Sequence, residues 1–383
     1  MRSCGQTRQE NFVEQSWRKV TETGMAKRVI VIGAGIVGAA IGYQLARAGI
    51  KTSILDQSMP ASGASGRSFG WINASFYVDE AHHKLRAAAM EAWRRIDAEG
   101  VTGALNWAGC LCWENTGAAL AAQHQNLREL GYPSEILVRD DIRKICPDLP
   151  KIPDQALWFP SEGAAETSEA TLDLLRAAVG QGAEVTFGMP VERLQVRAGQ
   201  VCGVETPAGT IEADTVVLAN GTGAPTLAAQ VGIDVPLLSR PGVLFWTRPV
   251  AKCLNPVMVA PEMEFRQLAD GRFVAPTVAG HQSDDTSKLA QTPQLAAANA
   301  LDKLRRITGL GDLRLEATAI GWRPVPQDGL PIIGASSIAG AYLAVMHSGV
   351  TLAAGVAECV AKEIEGMQTE ALSSYRPARF VQT

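Results

Sequence analysis

Gly33, Gly35 and Gly38 stand as G-x-G-x-x-G in Gly33-Ala34-Gly35-Ile36-Val37-Gly38, directly after the β-branched run RVIVIG and directly before AAIGYQLARAG, a helical stretch ending at Gly49. That spacing suits the phosphates of a dinucleotide. Gly33 permits a tight turn, Gly35 lets backbone approach a pyrophosphate, and Gly38 lets the helix lie on the sheet. The first-turn amides, those of Ile36 and Val37 among them, then face the phosphates with about half a positive charge of helix dipole. Asp56, followed by Gln57, closes the next strand, KTSILD. A carboxylate there accepts hydrogen bonds from ribose hydroxyls and disfavours a 2′-phosphate, which argues against NADP. Soon after comes Ala61-Ser62-Gly63-Ala64-Ser65-Gly66-Arg67-Ser68. Its amides and the hydroxyls of Ser62, Ser65 and Ser68 are placed to line a long cofactor's path. Far along the chain, Arg323 lies between Gly321-Trp322 and Pro324. A guanidinium held rigid by a neighbouring proline presents a fork that matches a carboxylate.

The elements that must position these groups begin with one βαβ unit, strand 28–33, helix and strand 51–56. Leu85, Ala89, Trp93 and Ile96 recur at three-to-four spacing and predict an amphipathic helix over 82–98, opened by His82 and His83 as surface or cap residues. Thr167 or Ser168 is the expected cap of a helix carrying Leu172, Leu175 and Val179, stopped by Gly180 and Gly182 before the strand AEVTF. The short strands VERLQV, VCGVET and TIEAD form a meander that leads into TVVLANG, a flap between two parallel strands. Prolines at 236, 241, 249, 256, 261, 276 and 293 then separate short apolar runs and predict an antiparallel sheet. A helix over 293–308 should turn Leu295, Leu301, Leu304 and Ile307 inward, with Lys303, Arg305 and Arg306 on a solvated face. The last element is the strand AYLAVM, the turn HSG and a helix.

The chain has 383 residues, which at about 150 per domain is two or three domains' worth of core. Lys plus Arg number 35 against 39 Asp plus Glu, a net charge of −4, so there is no broad basic field and nucleic acid is not an expected partner. The 7 cysteines are odd in number and contain no C-x-x-C pair, against both a disulfide framework and a zinc site, and point to a reducing cytoplasm. The longest apolar stretch, 29–45, is broken by glycines and followed by Arg47, so no transmembrane segment is expected. Residues 1–24 carry charges throughout and read as a disordered extension upstream of Met25. The expected fold class is α/β plus α+β: a Rossmann-like cofactor domain with a parallel sheet and β-meander (25–80, 151–228 and 316–383) interleaved with an antiparallel-sheet substrate domain (81–150 and 229–315).

Three blocks together resemble the FAD-dependent D-amino-acid oxidase superfamily, in its glycine oxidase, sarcosine oxidase and D-amino-acid dehydrogenase branch. They are VIVIGAGIVG…LD with the GASGRS loop, VVLANGTGAP at 216–225, and GWRPVPQDGLPIIG at 321–334 followed by HSGVTLAAG at 347–355. The resemblance implies FAD, held non-covalently because no histidine or cysteine matches a known covalent attachment, and a substrate amine bearing a carboxylate. It implies that Arg323 anchors that carboxylate, that Ser348-Gly349-Val350-Thr351 lies beneath the flavin's pyrimidine edge, that Val191 meets the adenine by its backbone, and that Asn220-Gly221 closes over the dinucleotide. Met346 stands where a glycine often precedes His347, the candidate for proton transfer. Trp71, Asn73, Phe76 and Tyr77 follow the cofactor loop closely enough to reach the active cavity, although such aromatics are more often core. Arg240, in SRPGVLFW, is expected to support a turn into the second sheet. The implied reaction oxidises a C–N bond by hydride transfer to flavin N5, giving an imine. Three alternatives stay open at this level: an oxidase using oxygen, a dehydrogenase for proline, hydroxyproline, sarcosine or an opine passing electrons to a quinone or partner subunit, and a non-catalytic flavin-binding subunit. An oligomer is compatible with each.

Overall fold

The computed structural model describes residues 27–261, 263–278 and 289–380. The extension 1–24 lies outside them. A six-stranded sheet has the order β19-β20-β13-β1-β2-β9, built from β1 (Arg28–Ile32), β2 (Lys51–Leu55), β9 (Glu184–Thr186), β13 (Thr215–Leu218), β19 (Ile332–Ala335) and β20 (Ala341–Val345). Its pairings are parallel except the edge hairpin β19–β20. Four of the five β1 residues are buried, as a strand covered on both faces requires, which is why the run reads as continuously β-branched instead of alternating. The meander is a three-stranded sheet of β10 (Arg193–Arg197), β11 (Gln200–Thr206) and β12 (Gly209–Glu212). It falls between β9 and β13 in the chain, as the turn spacing predicts.

The second large sheet has eight strands in the order β18-β14-β17-β16-β15-β5-β7-β6. They are β5 (Cys110–Cys112), β6 (Glu135–Val138), β7 (Gln155–Phe159), β14 (Leu237–Thr247), β15 (Val257–Ala260), β16 (Met263–Gln267), β17 (Phe273–Pro276) and β18 (Leu315–Pro326). All pairs are antiparallel except β5 with β15. β7 and β18, placed by the sequence in the cofactor-side segments 151–228 and 316–383, thus pair in this sheet, because their partners are supplied by segments distant in sequence. A small sheet of β3 (Trp71–Ile72), β8 (Gly163–Ala165) and β4 (Leu105–Asn106) joins the loop after β2 to this half.

The helices are α1 (Ile36–Arg47), α2 (Glu80–Ala98), α3 (Gly117–Glu129), α4 (Arg139–Ile145), α5 (Thr167–Gly180), α6 (Ala224–Ala229), α7 (Pro293–Thr308) and α8 (Gly349–Ile364). α1 packs on α5 and α8, and α2 packs on α8. One apolar cluster joins these four helices to the parallel sheet, a second lies on that sheet's other face toward the meander, and a third joins the eight-stranded sheet to α7. Several helix details depart from the sequence pattern. Asp79, not a histidine, caps α2 by accepting from the His82 amide at 2.7 Å, while His82 and His83 are buried. α5 is preceded by Glu166 with no side-chain cap; Thr167 instead donates to the carbonyl of Ser65 at 2.6 Å. The buried face of α5 is Leu174, Leu175 and Ala178, with Val179 exposed, and on α7 Leu295 is exposed. The rest of the expected inward faces stands: Leu175 on α5 and Leu301 and Leu304 on α7 are buried, and Leu172 and Ile307 are half-buried, so only the end residues Val179 and Leu295 fall outside the covered faces.

Candidate functional site

One cleft of ≈ 1340 Å³ opens between the carboxyl ends of β1 and β2 and the facing strands β14 and β18. That exceeds the roughly 300–1,000 Å³ of an ordinary small-molecule pocket, and leaves room for a dinucleotide and a small substrate together. Among the sequence-derived candidates, Gly33, Gly35, Ile36, Val37, Asp56, Gln57, Ser62, Gly63, Ser65, Arg67 and Ser68 line it, as do Val191, Asn220, Gly221, Arg323 and the run from His347 to Thr351. Gly38 does not.

The dinucleotide end is made largely of backbone. Gly33 has φ +107°, and a Cβ on it would lie 2.7 Å from the Ala219 carbonyl oxygen. Gly38 serves packing: a Cβ there would lie 1.9 Å from the Gly33 carbonyl oxygen, so any side chain would push α1 off the turn. The Asp56 carboxylate accepts from the amide of Ala34 at 2.7 Å and of Ser58 at 2.8 Å, which fixes it at the strand end with further acceptor capacity for ribose hydroxyls. Ser65 accepts from the Ile36 amide at 2.9 Å and so stands at the mouth of α1, where helix amides lack intrahelical partners. Arg67 folds its own loop by donating to the carbonyls of Ser62 and Gly63. Val191 precedes β10 and does not begin it, because the pairing with β11 starts at Arg193. Asn220 Oδ1 is buried and has no hydrogen-bond partner among the described residues. Positive φ at Gly33, orphan first-turn amides, an acid at the strand end and an unsatisfied amide oxygen form a cradle that fits the adenylate and pyrophosphate of FAD.

The other end is made of side chains. Arg323 on β18 faces Arg240 on β14 in register and donates Nε–H to its carbonyl oxygen at 3.3 Å. Arg240 therefore lies within a strand, not a turn, and its backbone supports the guanidinium opposite. Ser348, the first residue before α8, has φ 55° and ψ 28°, a left-handed conformation that costs a non-glycine residue energy and clusters at functional sites. Its hydroxyl lies 3.0 Å from His347 Nδ1. Burial first, then the positive charges of Arg323 and Arg86 and the proximity of His82, pull the His347 pKa down to about 3. His347 is thus a neutral imidazole at physiological pH, able to accept or donate a hydrogen bond but unable to serve as a stored acid. Thr351 is 1% exposed and its hydroxyl is committed to β3, donating to the Trp71 carbonyl at 3.1 Å and accepting from the Asn73 amide at 3.4 Å.

Trp71, Asn73, Phe76 and Tyr77 also line the cleft. Trp71 donates to Glu162 at 3.0 Å and meets Phe76 edge to face at 5.2 Å. Lys303, read as part of a solvated face, lines the cleft too, because the α7 surface that bears it turns toward the gap between the sheets. Three groups escaped the sequence reading. Arg86 on α2, 3% exposed, grips Asn73 through Nε to the carbonyl oxygen at 3.0 Å and Nη2 to Oδ1 at 2.7 Å, and burial lowers its pKa to about 10. Glu162, fully buried, accepts from Trp71, from the Ser75 amide at 3.1 Å and from the Tyr132 hydroxyl at 2.9 Å; burial raises its pKa against the pull of those donors. Glu264 on β16, 8% exposed, lines the same cleft. His82 and Arg86 precede Trp93 by eleven and seven residues and share its helix face, so two polar groups on a buried stripe were the available signal.

Residues 28–363 match the family of FAD dependent oxidoreductases. The chain is 26% identical over 405 residues to the D-amino acid dehydrogenase of Rhizobium rhizogenes, covering 90% of this chain and 97% of that protein. It is 27% identical over 370 residues to a subunit of the opine oxidase of Agrobacterium tumefaciens, covering 91% and 96%. Among solved structures it resembles L-proline dehydrogenase from P. horikoshii, with a TM-score of 0.82, 23% identity and coverage of 93% and 98%. It also resembles glycine oxidase from Bacillus cereus, with a TM-score of 0.78, 22% identity and coverage of 89% and 98%.

Proposed function

The chain belongs to the FAD-dependent oxidoreductase family, and from that premise we infer that it oxidises the C–N bond of a small amino acid or secondary amine that carries a carboxylate. The observation carrying this reading is Arg323, half-buried on the cleft wall and supported from behind by the Arg240 carbonyl. A guanidinium so placed binds a carboxylate bidentately and holds the adjacent Cα at a set distance. When bound, the flavin supplies a two-electron acceptor for hydride. The protein's own share is to orient. Arg323 fixes the acid group, the first turn of α8 offers its dipole to the ring's pyrimidine edge, and Gly33, Asp56, Ser65 and Asn220 hold the dinucleotide. His347, kept neutral, accepts a hydrogen bond from an amine or relays one through Ser348. No protein base is needed when the amine arrives neutral, and the imine that leaves is hydrolysed by water or persists if cyclic. FAD is held non-covalently in this reading.

Named relatives such as the D-amino acid dehydrogenase and the L-proline dehydrogenase support an amino-acid or imino-acid substrate. The opine oxidase subunit supports a partner subunit or other electron carrier as an acceptor besides oxygen. We place the reaction in the cytoplasm, supported by six free cysteines among the described residues. Among those residues no helix is long and apolar enough to cross a membrane. The test is anaerobic bleaching of the oxidised-flavin band near 450 nm (roughly) with D- and L-amino acids, N-methylated and cyclic ones, followed by admission of oxygen or a quinone. Bleaching by carboxylated amines and not by their decarboxylated counterparts is expected. Equal bleaching by both, or by neither, refutes the reading.

A further inference from the structure

Arg86 is a cation at the reacting end to which the proposed reaction gives no task. The residue is 3% exposed yet lines the cleft. Its hydrogen bonds run to two neutral acceptors, the carbonyl and amide oxygens of Asn73, and among the described residues Nη1 makes none. No carboxylate pairs with it there. Glu162 acts on it electrostatically, but both Glu162 oxygens already accept from Trp71, Ser75 and Tyr132. Burying a guanidinium without an ion pair is costly, and a fold that keeps one beside a cleft gains when an anion arrives. The Asn73 grip holds two of the three guanidinium nitrogens and so sets the plane in which Nη1 is presented. Arg323 and Arg86, on β18 and α2, line the same cleft as His347, and both positive charges act on its imidazole. Glu264 puts one acid on the same cleft, the sign that an ammonium requires.

We propose that Arg86 is the recognition residue for a second carboxylate, and that the substrate is therefore a dicarboxylic amine, with one acid on Arg323 and the other on Arg86. The inference rests on the amine-oxidation reading above and narrows its substrate class. Two independently anchored acids hold the C–N bond between them, which orients it more tightly than one anchor allows.

The probes are unreactive: malonate, succinate and glutarate against acetate, propionate and butyrate, titrated into the oxidised holoenzyme by calorimetry. The wild type is expected to bind its best dicarboxylate about ten- to a hundredfold more tightly than the matching monocarboxylate, the usual yield of one charge-assisted hydrogen-bonded contact. The chain length that binds best measures the gap between the two guanidiniums. Arg86→Met should collapse that ratio to near one, Arg86→Lys should retain part of it, and Arg323→Met should weaken both ligand classes. No dicarboxylate preference in the wild type overturns the proposal without any variant, so failure of Arg86→Met to fold does not protect it. A ratio unchanged in Arg86→Met overturns it as well, and leaves Arg86 as a support for Asn73. Anaerobic bleaching by N-methylglycine and iminodiacetate separates the two readings. If both amines bleach the flavin and no dicarboxylate preference exists, amine oxidation stands and this inference falls; if neither does, the underlying function falls.

Discussion

The two ends of the cleft recognise charge by different means. At the dinucleotide end the donors are backbone amides of one turn and one helix, and Asp56 and Ser65 are themselves held by those amides. At the reacting end the recognition groups are side chains from separate elements: the charged Arg323 from β18, Arg86 from α2 and Glu264 from β16, and the neutral His347 from the turn before α8. Backbone recognition requires contiguous sequence and missing side chains. Side-chain recognition requires only that distant elements converge. The first end therefore tolerates little change in residue size, and the second little change in charge.

That contrast can be broken most readily at Arg323. Arg323→Ala should lower kcat/KM for a carboxylated amine by about a hundredfold or more while purified protein keeps its flavin; an unchanged specificity constant removes the clamp, and a colourless protein erases the division between the ends. Gly38→Val should do the reverse. A branched side chain where even a Cβ lies 1.9 Å from the Gly33 carbonyl oxygen should destabilise the fold by about 1–3 kcal/mol and lower the flavin-to-protein ratio, read from the visible and ultraviolet absorbances. Asp56→Ala leaves the Ala34 and Ser58 amides without their acceptor and should cost about 1–2 kcal/mol of stability; denaturant unfolding checks this, and flavin retention should fall with it.

Near neutral pH the smallest expected effect is that of protonation. The pKa of His347 in the fold, about 3, lies below its unfolded value near 6.5. Its contribution to stability is therefore complete above about pH 6.5 and is lost as pH falls from there toward 3. His82, also held at about 3 by burial and then by Arg86 and His83, acts in the same direction. Neither imidazole should titrate between pH 6 and 8 in NMR spectra of the folded protein, and Arg323→Ala should move the His347 transition upward because one repelling cation is gone. A His347 resonance titrating near pH 6.5 in the unaltered protein contradicts the buried, cation-flanked environment.

How much of this was legible in the sequence follows the same division. The glycine turn, Asp56, the meander and the last strand-turn-helix were readable because each is local: spacing alone sets the backbone, and the apolar runs of β1 and β13 declare strands covered on both faces. Arg323 was readable through its rigid Trp-Arg-Pro setting and through resemblance. Arg86, Glu162 and Glu264 were not, since burial of a charged residue is decided by what packs over it. α2 displays Arg86 on the same stripe as Trp93, and only the contact with α8 and the loop carrying Asn73 reveals that this polar position faces a cleft. The sheet membership of β7 and β18 was hidden for a related reason: an antiparallel partner can come from anywhere in the chain.

The strand order of the six-stranded sheet has a consequence for how the protein is made. β13 is flanked by β1 on one side and β20 on the other, and the α8 turn that completes the cleft follows β20. The glycine turn directly follows β1, but its sheet is complete only once β20, more than 300 residues later, has been made. Vectorial synthesis therefore leaves one edge of the first strand open until β13 has been made, and the cleft that the α8 turn lines is complete only after β20.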